Sequence, residues 1–206
     1  MPLVYLWPPV TLANLRPPVA TPMSHPTAPE TFLLVVDMQP AFFPGLVGAD
    51  LVVKRCTFAL EAARGLGLGV GFTEQVPAKL GPTAPELLAA GPGAPVWGKT
   101  AFSALGDATI RAALQARGVR RLLLCGIETP VCIFQTTADA LAAGLEVTVL
   151  ADAVTARRPD DARHVLSELS QRGAIVLPVE TVFYQMLRDA THTFFRDYTK
   201  LVKKYG

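Results

Sequence analysis

Uninterrupted apolar runs alternate with helical periodicities along most of the chain, and their order predicts the architecture. Thr31 to Val36 (TFLLVV) is apolar and β-branched without alternation, the pattern of a strand covered on both faces, and it stops at Asp37. From about Asp50 to Gly67 the spacing turns helical, with Leu51, Cys56, Leu60 and Ala63 on one side and Lys54, Arg55 and Glu61 on the other. Gly65 and Gly67 end that helix, and Gly69 to Thr73 predicts a second strand. A Pro/Gly-rich passage follows from Pro77 to Pro95, with one helical turn around Glu86 to Ala90. Asp107 reads as the N-cap of a helix whose apolar side is Ile110, Ala113 and Leu114 and which Gly118 closes. Arg121 to Cys125 (RLLLC) predicts another buried strand, Pro130 to Ala143 a helix and Glu146 to Ala151 a strand. Asp160 to Arg172 then reads as a helix, Ala174 to Pro178 as a strand, and Glu180 to Lys204 as a mostly helical tail.

Strands in one parallel sheet need crossover helices, and right-handed crossovers put those helices on both faces. The predicted fold class is therefore α/β: a doubly wound, Rossmann-like three-layer sandwich around a central, mostly parallel sheet. No internal repeat interrupts it. Ligands of such sheets bind beyond the carboxyl ends of the strands.

Composition bounds the rest. The 206 residues suit one domain, half of them are hydrophobic and 17% are charged, which is enough apolar material for a core. A net charge of +2, with basic pairs such as Arg120-Arg121, Arg157-Arg158 and Lys203-Lys204 far apart in sequence, gives no phosphate-binding stripe, so no nucleic acid is expected. No apolar run approaches the roughly 20 residues of a membrane span, and no membrane partner is expected. Cys56, Cys125 and Cys132 are an odd set without metal-type spacing, which suits a reducing, cytoplasmic setting. Eight of the 18 prolines fall between Pro2 and Pro29, so residues 1–30 read as an extended Pro-rich arm and residues 31–206 as one folded domain. The arm lacks the layout of a secretory signal, and with Arg16 as its one Lys or Arg a mitochondrial transit peptide is a weak alternative.

Three polar groups of residues fall at predicted strand ends: Asp37, Glu74 with Gln75, and the stretch Gly126 to Cys132. Pro130 suits the first helical position and would set Cys132 in the first turn, where the positive end of the helix favours thiolate. Most free cysteines are small core hydrophobes, and that reading suffices for Cys56 and Cys125. Asp37 would accept a proton if it lay beside the thiol, although many aspartates merely cap a turn. Lys99, flanked by Trp97 and Phe102, is expected to be partly buried and to need a carboxylate partner such as Asp37. Gln39, Phe42, Glu74, Gln75, Trp97 and Ile133 are candidate pocket residues, though core packing explains Phe42, Trp97 and Ile133 equally well. Gly65 to Gly71 (GLGLGVG) follows a helix and precedes a strand, the reverse of a dinucleotide loop.

Taken together, Leu34 to Gln39 (LVVDMQ), Gly98 to Phe102 (GKTAF), Gly126 to Cys132 (GIETPVC) and Leu145 to Arg157 (LEVTVLADAVTAR) resemble, in order and spacing, the motifs of the isochorismatase-like hydrolase superfamily. The resemblance runs from about Thr31 to Phe183. It implies an Asp37–Lys99–Cys132 triad, a cis peptide between Ile127 and Glu128, and an oxyanion site made by the Glu128 and Cys132 N–H groups. It implies that Asp37 takes the thiol proton while Cys132 forms an acyl-enzyme thioester with a small amide- or ester-like substrate. The isochorismatases that cleave a vinyl ether typically lack the cysteine, and the nicotinamidases carry metal-binding histidines after the second strand. Here that region, Thr73 to Pro82, holds no histidine, so neither metal nor cofactor is expected. Pro82 to Leu87 is similar to the isochorismatase-domain-containing subgroup. Family members usually assemble, so a homo-oligomer is expected. The competing readings are a non-catalytic binding or scaffold protein that keeps the fold, and an ether hydrolase of the isochorismatase type.

Overall fold

The computed structural model describes residues 30–206, so the Pro-rich arm lies outside the described residues except for Glu30. Six strands form one sheet: β1 (Thr31–Val36), β2 (Gly69–Gln75), β3 (Val96–Lys99), β4 (Arg121–Ile127), β5 (Glu146–Thr155) and β6 (Ile175–Leu177). Their order is β3-β2-β1-β4-β5-β6, and each neighbouring pair runs parallel. The mostly parallel expectation is thus met by an all-parallel sheet among the described strands.

The apolar runs are explained by burial on two sides. Successive side chains of a strand point to opposite faces. In β1, Leu33 and Val35 join a core with α1 (Ala49–Gly65), α3 (Pro85–Ala90), α7 (Val179–Leu187) and α8 (Phe195–Tyr205). Phe32, Leu34 and Val36 face a second core, built on α4 (Ala108–Ala116), α5 (Phe134–Ala142) and α6 (Pro159–Gln171). Every residue of β1 and of β4 is buried, so neither strand has a polar face for the sequence to display.

Local chemistry sets the ends of the elements. Asp107 caps α4 as expected, its side chain accepting from the N–H groups of Thr109 and Ile110. Other boundaries differ from expectation. The strand β3 lay in an unassigned stretch, because four residues at a sheet edge give almost no periodicity. The helix predicted from Pro130 opens with a wide π turn, Thr129–Ile133, before α5. The tail splits into α7 and α8 at Arg188, whose φ is 70°.

Gly126 is required by backbone proximity. Its φ is +111°, the β4–β5 register shifts between Leu124 and Gly126, and an added Cβ would lie 2.1 Å from the Val36 carbonyl oxygen. Gly126→Ala is expected to destabilise the fold by about 3 kcal/mol, strain and overpacking together. Urea unfolding of the variant checks this, and an unchanged midpoint would show that the strands separate freely at this position.

Candidate active site

β1 and β4 are sheet neighbours whose following helices, α1 and α5, cover opposite faces, so the chain diverges at their carboxyl ends. That divergence leaves a crevice. Asp37 follows β1 directly with φ of 52°, a left-handed conformation that aspartate tolerates better than most residues. Its N–H donates to the Thr73 carbonyl at 3.0 Å, and Thr73 Oγ1 donates to Asp37 Oδ1 at 2.7 Å.

Lys99 ends β3 and reaches Asp37 Oδ2 at 2.7 Å, with both side chains almost wholly buried (0% and 1% exposed). Its ammonium also donates to Gln75 Oε1 at 2.7 Å and to the carbonyls of Ala101 at 3.2 Å and Phe102 at 3.1 Å. Gln75 is fixed in turn, donating through Nε2 to the Thr100 carbonyl at 2.8 Å and through its backbone N–H to Gln39 Oε1 at 2.7 Å. Gln39 Nε2 closes the set with the carbonyls of Gln75 and Gly81. A buried charge pair of this kind persists where hydrogen bonds satisfy the remaining donors and acceptors, as they do here.

Cys132 sits in the π turn, 7% exposed, with Sγ 3.8 Å from Lys99 Nζ. Its thiol is pushed up to about 12, first by burial and then by the Asp37 carboxylate; the Lys99 ammonium and the Glu128 N–H pull the other way and lose. This corrects the expectation that the helix start would leave a resting thiolate. The helix end acts on a thiol that is desolvated and faces a carboxylate, so the resting group is the protonated thiol. Alkylation by iodoacetamide should accordingly accelerate about tenfold per pH unit from pH 7 to 10, since thiolate is the reacting species. A rate already level above pH 7 would contradict the protonated resting state. Cys56 and Cys125 are fully buried and should stay unlabelled in the native protein.

The Ile127–Glu128 peptide is cis, and the Glu128 N–H points to the Cys132 sulfur. Beyond that amide, the Glu128 carboxylate pairs with Arg157, Nε to Oε1 3.1 Å, at the rim, where the Arg157 side chain is 64% exposed. A cavity of about 410 Å³ opens over Cys132, with Asp37, Gln75 and Glu128 bordering it. Phe42, from the short 3-10 helix Pro40–Gly45, lines it together with Leu80, Phe102, Ile127 and Val131.

Of the candidate pocket residues, Phe42 and Gln75 border this cavity. Gln39 lies behind it, holding Gln75. Glu74 fastens a loop instead, its Oε1 accepting from the Thr83 N–H at 2.7 Å and hydroxyl at 2.9 Å. Trp97 and Ile133 belong to the core: Trp97 packs on Phe32 with ring centroids 6.2 Å apart, and Ile133 is fully buried beside α5. Phe102 is 54% exposed at the cavity. Leu80, on the short helix α2 (Pro77–Leu80), and Arg157 were not singled out as pocket residues; no spacing rule announces either. Among the described residues, no group of three or more His, Cys, Asp and Glu side chains is placed to hold a metal ion, and no helix is long and apolar enough to cross a membrane.

Comparison with known proteins identifies the family to which this fold belongs. The isochorismatase domain matches residues 31–181. Isochorismatase domain-containing protein 2 of Bos taurus is 40% identical over 175 residues, spanning 84% of this chain and 83% of that protein. The solved MAR1 ribonuclease of Caenorhabditis elegans superposes with a TM-score of 0.82 at 30% identity, covering 87% of this chain and 93% of that one. The YcaC product of Escherichia coli, described as an octameric hydrolase of unknown specificity, shares the fold with a TM-score of 0.77 at 22% identity over 89% of this chain and 97% of that one. This chain belongs to the isochorismatase-like hydrolase family.

Proposed function

We propose that the protein is a thiol hydrolase of small carboxamides or esters, with Cys132 as nucleophile, Asp37 as proton carrier and Lys99 as their electrostatic partner. The carrying observation is the buried Asp37–Lys99 pair set against the Cys132 sulfur on the floor of an open cavity.

The substrate carbonyl oxygen lies toward the N–H groups of Glu128 and Cys132, which stabilise the charge that develops on it. The Cys132 proton passes to Asp37 as the Sγ–C bond forms. The C–N or C–O bond then breaks, Asp37 returns the proton to the leaving nitrogen or oxygen, and an amine or alcohol departs. Water attacks the thioester with Asp37 again taking a proton, the C–S bond breaks, sulfur is reprotonated, and a carboxylic acid is released. Lys99 holds Asp37 in place, its Nζ donating also to Gln75 Oε1 and to the carbonyls of Ala101 and Phe102.

A second reading comes from the ribonuclease name of the C. elegans relative. It is less well supported: among the described residues Arg157 is the one cation bordering the cavity, and it is already paired with Glu128. The deciding experiment is a turnover screen of small carboxamides and esters, with a short RNA alongside. Amide or ester hydrolysis by the wild type and silence of Cys132→Ser supports the proposal. Nucleotide release from the RNA would favour the second reading, and inertness toward every compound would favour a non-catalytic binding protein.

A further inference from the structure

The ionic and amide side chains that border the cavity are already hydrogen-bonded within the protein. Asp37 accepts from Thr73 at one oxygen and from Lys99 at the other. Gln75 spends its amide oxygen on Lys99 and its amide nitrogen on the Thr100 carbonyl. Glu128 and Arg157 neutralise each other at the rim. Apart from the Cys132 thiol, the remaining lining side chains, Phe42, Leu80, Phe102, Ile127 and Val131, are hydrocarbon.

Charges here also cancel in pairs, Asp37 against Lys99 and Glu128 against Arg157, so no net charge is left to draw an ion inward. A carboxylate on the substrate would meet two carboxylates at close range unless it pulled Arg157 away from Glu128. An ammonium would shed its water into a space walled mostly by hydrocarbon, where both carboxylates already hold a cation, Lys99 or Arg157. At about 410 Å³ the space is near the small end of the range for ligand sites, roughly 300–1,000 Å³.

We propose that the acyl subsite takes a neutral, apolar acyl group, making the substrate a small primary amide or simple ester of an unsubstituted aliphatic or aromatic acid. This rests on the thiol-hydrolase reading and narrows it. Phe102 and Leu80 are its specificity-determining side chains, contacting the acyl group. The exposed Arg157 guanidinium leaves the selectivity unchanged, since an ion pair in contact with water contributes little.

The test measures kcat/KM for ammonia release by the full chain from acetamide, propionamide, butyramide, 4-methylpentanamide and succinamate. The last two differ in an isopropyl group against a carboxylate of similar shape. Lengthening the chain from acetamide to butyramide should raise kcat/KM by roughly fourfold per methylene, the worth of one buried CH₂. 4-Methylpentanamide should exceed succinamate by roughly 100-fold, the penalty for an unpaired carboxylate in an apolar site. Leu80→Arg, at a partly exposed position, should shift that ratio toward succinamate by about tenfold or more, as expected for a newly supplied charged partner. Equal or faster turnover of succinamate by the wild type overturns the apolar assignment and leaves the cysteine chemistry intact. Silence toward the whole series, together with no acylation of Cys132 by p-nitrophenyl acetate, overturns the hydrolase reading and this inference with it.

Discussion

Cys132→Ala is expected to reduce kcat by roughly 10⁴- to 10⁶-fold on any substrate the wild type turns over, the scale seen when a covalent nucleophile is removed. The loss belongs to chemistry. Cys132 is buried at the cavity floor and its sulfur is flanked by Lys99 at 3.8 Å and by Asp37. Removing it takes away one sulfur atom next to an existing cavity, so folding stability should fall by only about 1 kcal/mol. KM measured by competition with a product acid should stay within severalfold, because the walls that hold the acyl group are untouched. Cys132→Ser should behave nearly as badly, since a hydroxyl is harder to deprotonate than the thiol for which Asp37 is placed. Retention of more than a tenth of wild-type kcat in the alanine variant would show that another group attacks the substrate.

Lys99→Met should cost about 3–5 kcal/mol of folding stability, with turnover lost as well. The change strands the Asp37 carboxylate at a site that is 1% exposed, and it removes the donor to Gln75 Oε1 and to the carbonyls of Ala101 and Phe102. An unpaired buried charge is penalised far more than the intact pair is rewarded. A double variant, Asp37→Leu with Lys99→Met, should therefore regain much of the lost stability while remaining inactive. Urea unfolding of the single and double variants measures the coupling. Additive losses would mean that the two side chains do not depend on each other in the folded state.

The parts of this fold written most clearly in the sequence are those where burial forces a pattern. β1 and β4 lie at the centre of the sheet, so their apolar runs have no polar interruption, and Asp37 stands out as the residue that ends the first of them. The Pro130-to-Cys132 spacing likewise predicts a cysteine near a helix start. What the sequence pattern does not carry depends on direction and distance. Ile133 follows Cys132, yet one step along the π turn swings the side chain round toward the core rather than the cavity. Trp97 pairs in register with Thr73, short of the strand end, and so packs on Phe32. Leu80 and Arg157 reach the cavity from connecting segments whose course is fixed by tertiary bonds such as Gln39 Nε2 to the Gly81 carbonyl at 2.6 Å. The protonation state of Cys132 departs from the local expectation for a related reason. A dipole argument needs only local sequence, whereas burial and the neighbouring Asp37 are supplied by residues far along the chain.

The central claim is a covalent step at one sulfur. Mixing the 206-residue chain with an excess of a small ester for milliseconds to seconds, quenching in acid and mapping peptides by mass tests it directly. The account predicts a transient mass gain equal to the acyl group on the peptide that carries Cys132, absent in Cys132→Ala. Steady hydrolysis with that peptide unmodified at every time point, or with the acyl group on Cys56 or Cys125, would contradict it.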